Sequence, residues 1–136
     1  MNSANEILIG FGVLLVIIFV WIMVYYRTNI YIENPDGKAR ITGKCGDTME
    51  IGLKFENDRV KEASCWTDGC IYSLNCVYAA TQLAKGKTID EILEIDPDLI
   101  QETIGGLSMD QQHCARLAYE TLQAALHEFM KKQVRS

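Results

Sequence analysis

Met49-Glu50-Ile51-Gly52-Leu53-Lys54-Phe55-Glu56-Asn57-Asp58 is the stretch that decides the fold class. Apolar side chains at 49, 51, 53 and 55 alternate with Glu50, Gly52, Lys54 and Glu56. That period of two predicts a strand with one buried face. Asn57-Asp58 is a turn pair, and Arg59 to Trp66 reads as the return strand of a hairpin. The alternation of the return strand is poorer, and its register stays open.

Beyond the hairpin the pattern changes to helices. Thr67-Asp68-Gly69 closes the sheet region, and a helix is predicted from Ser73 to Ala84, ended by Lys85-Gly86-Lys87. Thr88 and Glu91 have the spacing of a capping box, so a short helix follows. Asp96-Pro97 opens another, with proline at its first position, and Gly105-Gly106 ends it. Ser108 and Gln111 predict a second capping box, opening a long helix to about Lys132. Cys114, Leu117, Ala118, Thr121, Leu122, Ala125 and Phe129 recur at three- and four-residue steps along it and form its predicted buried face. Before the hairpin, Ile30-Tyr31-Ile32 is β-prone, Asn34-Pro35-Asp36-Gly37 is a turn, and Gly43 to Asp47 is a loop. Strands first and helices after indicate an α+β domain.

Ile7 to Tyr26 is a run of 20 residues without a charge. As a helix it is roughly 30 Å long, about one bilayer core. A cleaved signal peptide fits poorly: no Lys or Arg precedes the run, its core is too long, and no small-residue cleavage site follows. Trp21, Tyr25 and Tyr26 stand near its end, where aromatic side chains favour the membrane interface. The expectation is a single transmembrane anchor over residues 1–28 and a folded domain over 29–136. Arg27, Lys38, Arg40 and Lys44 follow the run, whereas only Glu6 is charged before it. The positive-inside rule then puts the N-terminus outside and the domain in the cytoplasm, at the inner (cytoplasmic) membrane. The net charge of −5 argues against nucleic acid as a partner and against a polybasic headgroup role.

The five cysteines are Cys45, Cys65, Cys70, Cys76 and Cys114. In a cytoplasmic domain their reading is metal, redox or catalysis rather than disulfides. Cys65 beside Trp66 and Cys76 within a helix read as core packing. The others have chemical company. Cys45 lies in a glycine-bounded loop two residues before Asp47. Cys70 follows Gly69 at the approach to a helix N-terminus, and Cys114 follows His113. Thiolates hold zinc and iron–sulfur clusters, with a carboxylate or imidazole as a further ligand. A cysteine–histidine nucleophile is a third option, weaker because sequence neighbours need not face each other. Asp47 also reads as a loop-stabilising residue, and His127 as a solvated or partly packed one.

In this order Cys45-Gly46-Asp47-Thr48-Met49, Gly69-Cys70 and His113-Cys114 resemble the iron–sulfur cluster assembly scaffold family of IscU and the N-terminal domain of NifU. Leu83-Ala84-Lys85-Gly86-Lys87 and Ala118 to Ala125 add to the likeness, which covers about Asn34 to Phe129. Asp68-Gly69-Cys70 with Cys76, and Gly105-Gly106-Leu107, look like a NifU-like bacterial branch.

The resemblance implies a three-stranded antiparallel sheet packed with helices, and no enzymatic activity. It implies Cys45, Cys70 and Cys114 as ligands of a transient [2Fe–2S] cluster, Asp47 as a ligand or a tuner of lability, and His113 as an alternative ligand. Zinc would fit the same atoms. The implied partners are a cysteine desulfurase, which passes persulfide sulfur, and apo iron–sulfur acceptors. A cluster shared between two chains, as in a homodimer, is compatible with the sequence. Three departures stand out. Ile71 replaces the glycine common after the second cysteine. Gly106-Leu107-Ser108-Met109-Asp110 replaces the Leu-Pro-Pro-Val-Lys chaperone segment. The apolar N-terminal run is foreign to the family's soluble members. Ile71 and the apolar run support a second reading, an accessory or electron-transfer subunit of a membrane redox complex with a permanent [2Fe–2S] cluster. A zinc-bound structural module is the third.

Overall fold

The computed structural model describes residues 2–28 and 32–135. The chain separates into two compact units, Met1–Tyr31 and Ile32–Ser136. The first contains one helix, α1 (Ser3–Thr28), with its apolar side chains exposed along its length. Its stretch Ser3–Arg27 is long and apolar enough to cross a membrane. Trp21 and Tyr25, one turn apart, stack with ring centroids 5.8 Å apart.

The second unit is an antiparallel sheet of β1 (Gly37–Thr42), β2 (Thr48–Glu56) and β3 (Arg59–Thr67), in the order β1-β2-β3. The helices α2 (Ile71–Ala84), α3 (Ile89–Leu93), α4 (Pro97–Thr103) and α5 (Gln112–Arg135) follow. An α+β domain with a three-stranded antiparallel sheet is therefore present, as expected. The alternation in β2 is what buries it: Met49, Ile51 and Leu53 are inaccessible to solvent. Helix α5 packs along β1 and β2, and α2 packs along β3 and against α5. The expected buried face of α5 is buried at Cys114, Leu117, Ala118, Thr121, Leu122 and Ala125. Phe129 is partly exposed and stacks on Phe55, centroids 3.9 Å apart. On the sheet's other face Glu50 lies between Lys38 (3.1 Å) and Arg40 (2.7 Å), and Arg40 covers the ring of Trp66.

Several local expectations change. The first strand among the described residues is Gly37–Thr42. Ile30 and Tyr31 lie outside the described residues, and Ile32 is a buried residue outside any strand. The poor alternation of β3 has a cause: the pairing shifts between Lys54 and Phe55, so that Lys54 opposes Glu62 while Phe55 opposes Val60. An irregularity of this kind reverses which side chains face the core. The Asn57-Asp58 turn has φ of 54° and 64°, the left-handed pair of a tight hairpin.

The Thr88–Glu91 capping box is complete, and Asp96 caps α4 through Leu99 N–H. Ser108 makes no side-chain cap. Its carbonyl accepts from Gln111 N–H, a 3₁₀ turn (Met109–Gln111) follows, and α5 starts only at Gln112. Helix α2 starts at Ile71 rather than Ser73, which makes Cys70 its N-cap residue.

Candidate metal centre

Three chain segments meet at one end of the sheet. The first is the β1–β2 loop, closed by Gly43 N–H to the Asp47 carbonyl (2.9 Å) and Gly46 N–H to the Gly43 carbonyl (3.0 Å). The second is the β3–α2 connection. Asp68 accepts from Thr48 N–H at 2.7 Å, and Thr67 donates to the Thr48 carbonyl at 2.7 Å. The Gly69 N–H donates to the Thr67 hydroxyl at 3.1 Å. These bonds tie the entry of α2 to the start of β2. The third segment is the first turn of α5.

The segments bring Asp47, Cys70 and Cys114 together, with one ligand atom from each lying within 4.8 Å of the others. Gly69 is required by this approach. A Cβ there would stand 2.5 Å from Asp47 Oδ2 and 2.8 Å from Ser73 Cβ. Ile71, in contrast, needs no unusual backbone. It is the first residue of a regular helix, lacks a positive φ, and is 60 % exposed.

Cys45 and His113 lie beside this trio rather than in it. Both line an adjoining cleft of about 350 Å³, together with Lys44, Arg116, Leu117 and Glu120. The imidazole Nε2 of His113 is 3.5 Å from Cys114 Sγ. Neither Cys76 nor Cys65 joins the converged trio. Cys76 is fully buried in the core, where burial and, after it, the nearby Cys114 and Cys70 raise its pKa, and Cys65 packs at the core's margin. His127 is exposed on α5.

Sequence reasoning missed Ser73. Its hydroxyl donates to Asp47 Oδ2 at 2.5 Å and lies 3.5 Å from Cys114 Sγ and 3.8 Å from Cys70 Sγ. The available signal was its position three residues after Cys70, one helical turn on, which becomes visible once α2 is known to start at Ile71.

The thiols differ in acidity. Cys70 is exposed, and the backbone N–H of Ser73 lowers its pKa, helped by the Ser73 hydroxyl and Tyr72 N–H, against desolvation and the Asp47 charge. No bond to its sulfur meets strict capping geometry, so the effect is that of N–H groups aimed at it from the helix start. Cys114 is 1 % exposed and burial pushes its thiol up. Ser73 opposes that rise, while Cys70, Asp47 and Cys45 add to it by repulsion. Groups that raise one another's pKa in this way are stabilised together by a cation. Two thiolates, one carboxylate oxygen and neighbouring sulfur and imidazole donors form a set suited to zinc or iron.

Residues 32–136 match the model of the NifU-like N-terminal domain. The two iron–sulfur cluster assembly scaffold proteins IscU of Archaeoglobus fulgidus are each 36 % identical over 102 residues, covering 74 % of this chain and 67 % of theirs. The IscU scaffold protein of Aquifex aeolicus is 34 % identical over 93 residues, 67 % of this chain and 59 % of that protein. Among solved structures, the N-terminal part of a NifU-like protein from Brucella abortus superposes with a TM-score of 0.57 at 16 % identity. It covers 74 % of this chain and 83 % of that one, and shows the shared fold. With its three-stranded sheet and matched sequence from Ile32 onward, the chain belongs to the NifU-like N-terminal domain family.

Proposed function

We propose that this chain is an iron–sulfur cluster assembly scaffold, not an enzyme, that carries a [2Fe–2S] cluster as transient cargo and passes it to acceptor proteins. The convergence of Asp47, Cys70 and Cys114 at one end of the sheet carries the reading. The printed names of the relatives as scaffold proteins support it. Cys70 and Cys114 hold the cargo in this account. Cys45 and His113, which line the neighbouring cleft, supply the remaining donors. Asp47 supplies an oxygen ligand, a harder donor than thiolate and easier to exchange. Sulfur arrives from a cysteine desulfurase, and apo iron–sulfur proteins receive the product.

The length and composition of α1 support a tether in the cytoplasmic membrane, with the anchor over 1–28 and the domain over 29–136 on the cytoplasmic side. Tethering raises the local concentration of the scaffold near membrane-bound acceptors without any new contact. The same helix favours the second reading, a subunit of a membrane redox complex that keeps its cluster for electron transfer.

The test is to load the full chain anaerobically with iron and sulfide. A coloured protein with iron and acid-labile sulfide in equal amounts is expected. A colourless protein that retains only zinc would overturn both cluster readings. For the tether, the domain should be digested by protease added to inverted vesicles, and its protection there would reverse the topology.

A further inference from the structure

We propose that Ser73 is the positioning residue of this centre, fixing Asp47 as a ligand through one oxygen, turned toward Cys70 and Cys114. The role rests on the metal-holding reading of the site. Ser73 is fully buried, on the first turn of α2, and its hydroxyl sits in the middle of the three ligand side chains. A hydroxyl has one proton to donate and two lone pairs. Asp47 Oδ2, at 2.5 Å, accepts the hydrogen bond, because a carboxylate oxygen is a stronger acceptor than a thiol sulfur at 3.5 or 3.8 Å. The lone pairs are left for the S–H groups of Cys70 and Cys114, which are weak donors.

When a metal arrives, both thiols give up their protons. The Ser73 O–H keeps donating to Asp47 Oδ2 and takes up one of that oxygen's lone pairs, which favours Oδ1 as the binding oxygen. The carboxylate is then held in one orientation, and chelation through both oxygens is disfavoured. Gly69 packs against the same Oδ2, beside Ser73, because only a bare Cα fits there. An alanine at 73 would fill the volume of the Ser73 Cβ but would leave Asp47 free to rotate. The hydroxyl is thus an outer partner of the ligand, a class whose loss weakens metal binding.

Cobalt(II) titration of the full chain in detergent tests this, since its visible bands report ligand number and type. Ser73→Ala should bind cobalt about 10- to 100-fold more weakly. In an Asp47→Ala background the same change should have no further effect, because its route runs through Asp47.

Unaltered affinity in Ser73→Ala, or losses at 47 and 73 that simply add, would each overturn the proposal. Failure of the unaltered chain to bind cobalt would overturn the metal centre as well. Normal binding by the unaltered chain with an indifferent Ser73→Ala would overturn the role of Ser73 alone. Matching thermal melts of the variants separate a positioning effect from unfolding.

Discussion

At its turn end the β2–β3 hairpin pairs the charges it brings together, whereas at its open end it gathers a carboxylate and thiols that repel one another. At the turn, Val60 exchanges backbone hydrogen bonds with the loop after α2, to the Lys87 carbonyl at 3.0 Å and from Gly86 N–H at 2.8 Å. Arg59 donates to the Gly86 carbonyl at 2.8 Å and approaches Glu91 at 3.3 Å, and Glu91 completes the capping box with Thr88. Lys61 pairs with Glu56 at 2.7 Å. At the open end, Asp47, Cys70 and Cys114 are aimed at one another, and repulsion raises the Cys114 thiol in addition to burial. The same two strands thus separate two jobs. The turn end stabilises the fold, and the open end gathers groups whose mutual repulsion a bound cation would relieve. Changes at one end should leave the other largely intact.

The largest contrast lies in thiol reactivity. Cys70 is exposed with a lowered pKa, so its thiolate persists below the ordinary value of 9.0. Cys76 is buried, and burial pushes it up to about 12. Iodoacetamide on the metal-free folded chain should modify Cys70 at least about a thousandfold faster than Cys76, read by peptide mass spectrometry. Comparable rates would break the division between site and core cysteines.

Gly69→Ala is next. The added methyl group meets Asp47 and Ser73, and should lower zinc affinity about a hundredfold while costing about 1–3 kcal/mol of stability. Thr88→Ala, at the other end, should cost about 1 kcal/mol in thermal or urea unfolding and leave zinc titration unchanged. A shift in zinc affinity there would show that the two ends are coupled.

The smallest effect belongs to Glu50. Burial alone would raise its carboxyl pKa, but hydrogen bonds and charges from Arg40 and Lys38 outweigh it, and the value is lowered from 4.5. Its contribution is therefore complete above 4.5 and is lost as pH falls through the lower folded-state value. Against Glu50→Gln, the unaltered chain should keep an advantage of about 0.5 kcal/mol at neutral pH, and that advantage should vanish in acid.

Much of the turn end was legible in the sequence, because its signals are local. Alternation marks β2, Asn57-Asp58 marks the turn, and Thr88 with Glu91 marks the cap. Strand β1 was not, since it offers only Ala39 and Ile41 to the core and owes its place to pairing with β2. Ser108 carried the right spacing for a cap, yet the chain enters α5 through a 3₁₀ turn instead. At the open end the motifs named Cys45, Asp47, Cys70, His113 and Cys114. The structure sorts them into a converged trio and two neighbours at a cleft, a distinction of tertiary geometry with no local signal. Ser73 escaped for a related reason. A serine in a helix start is ordinary, and its importance appears only when α5 delivers Cys114 to within 3.5 Å.

The central claim is that the open end holds a cluster in order to release it. The most direct measurement mixes the anaerobically loaded full chain with an apo-ferredoxin and follows the acceptor's cluster signal over time. The account predicts transfer within minutes, with the scaffold returning to its metal-free spectrum. A cluster that remains on this chain over that interval and cycles reversibly between oxidised and reduced states would contradict it.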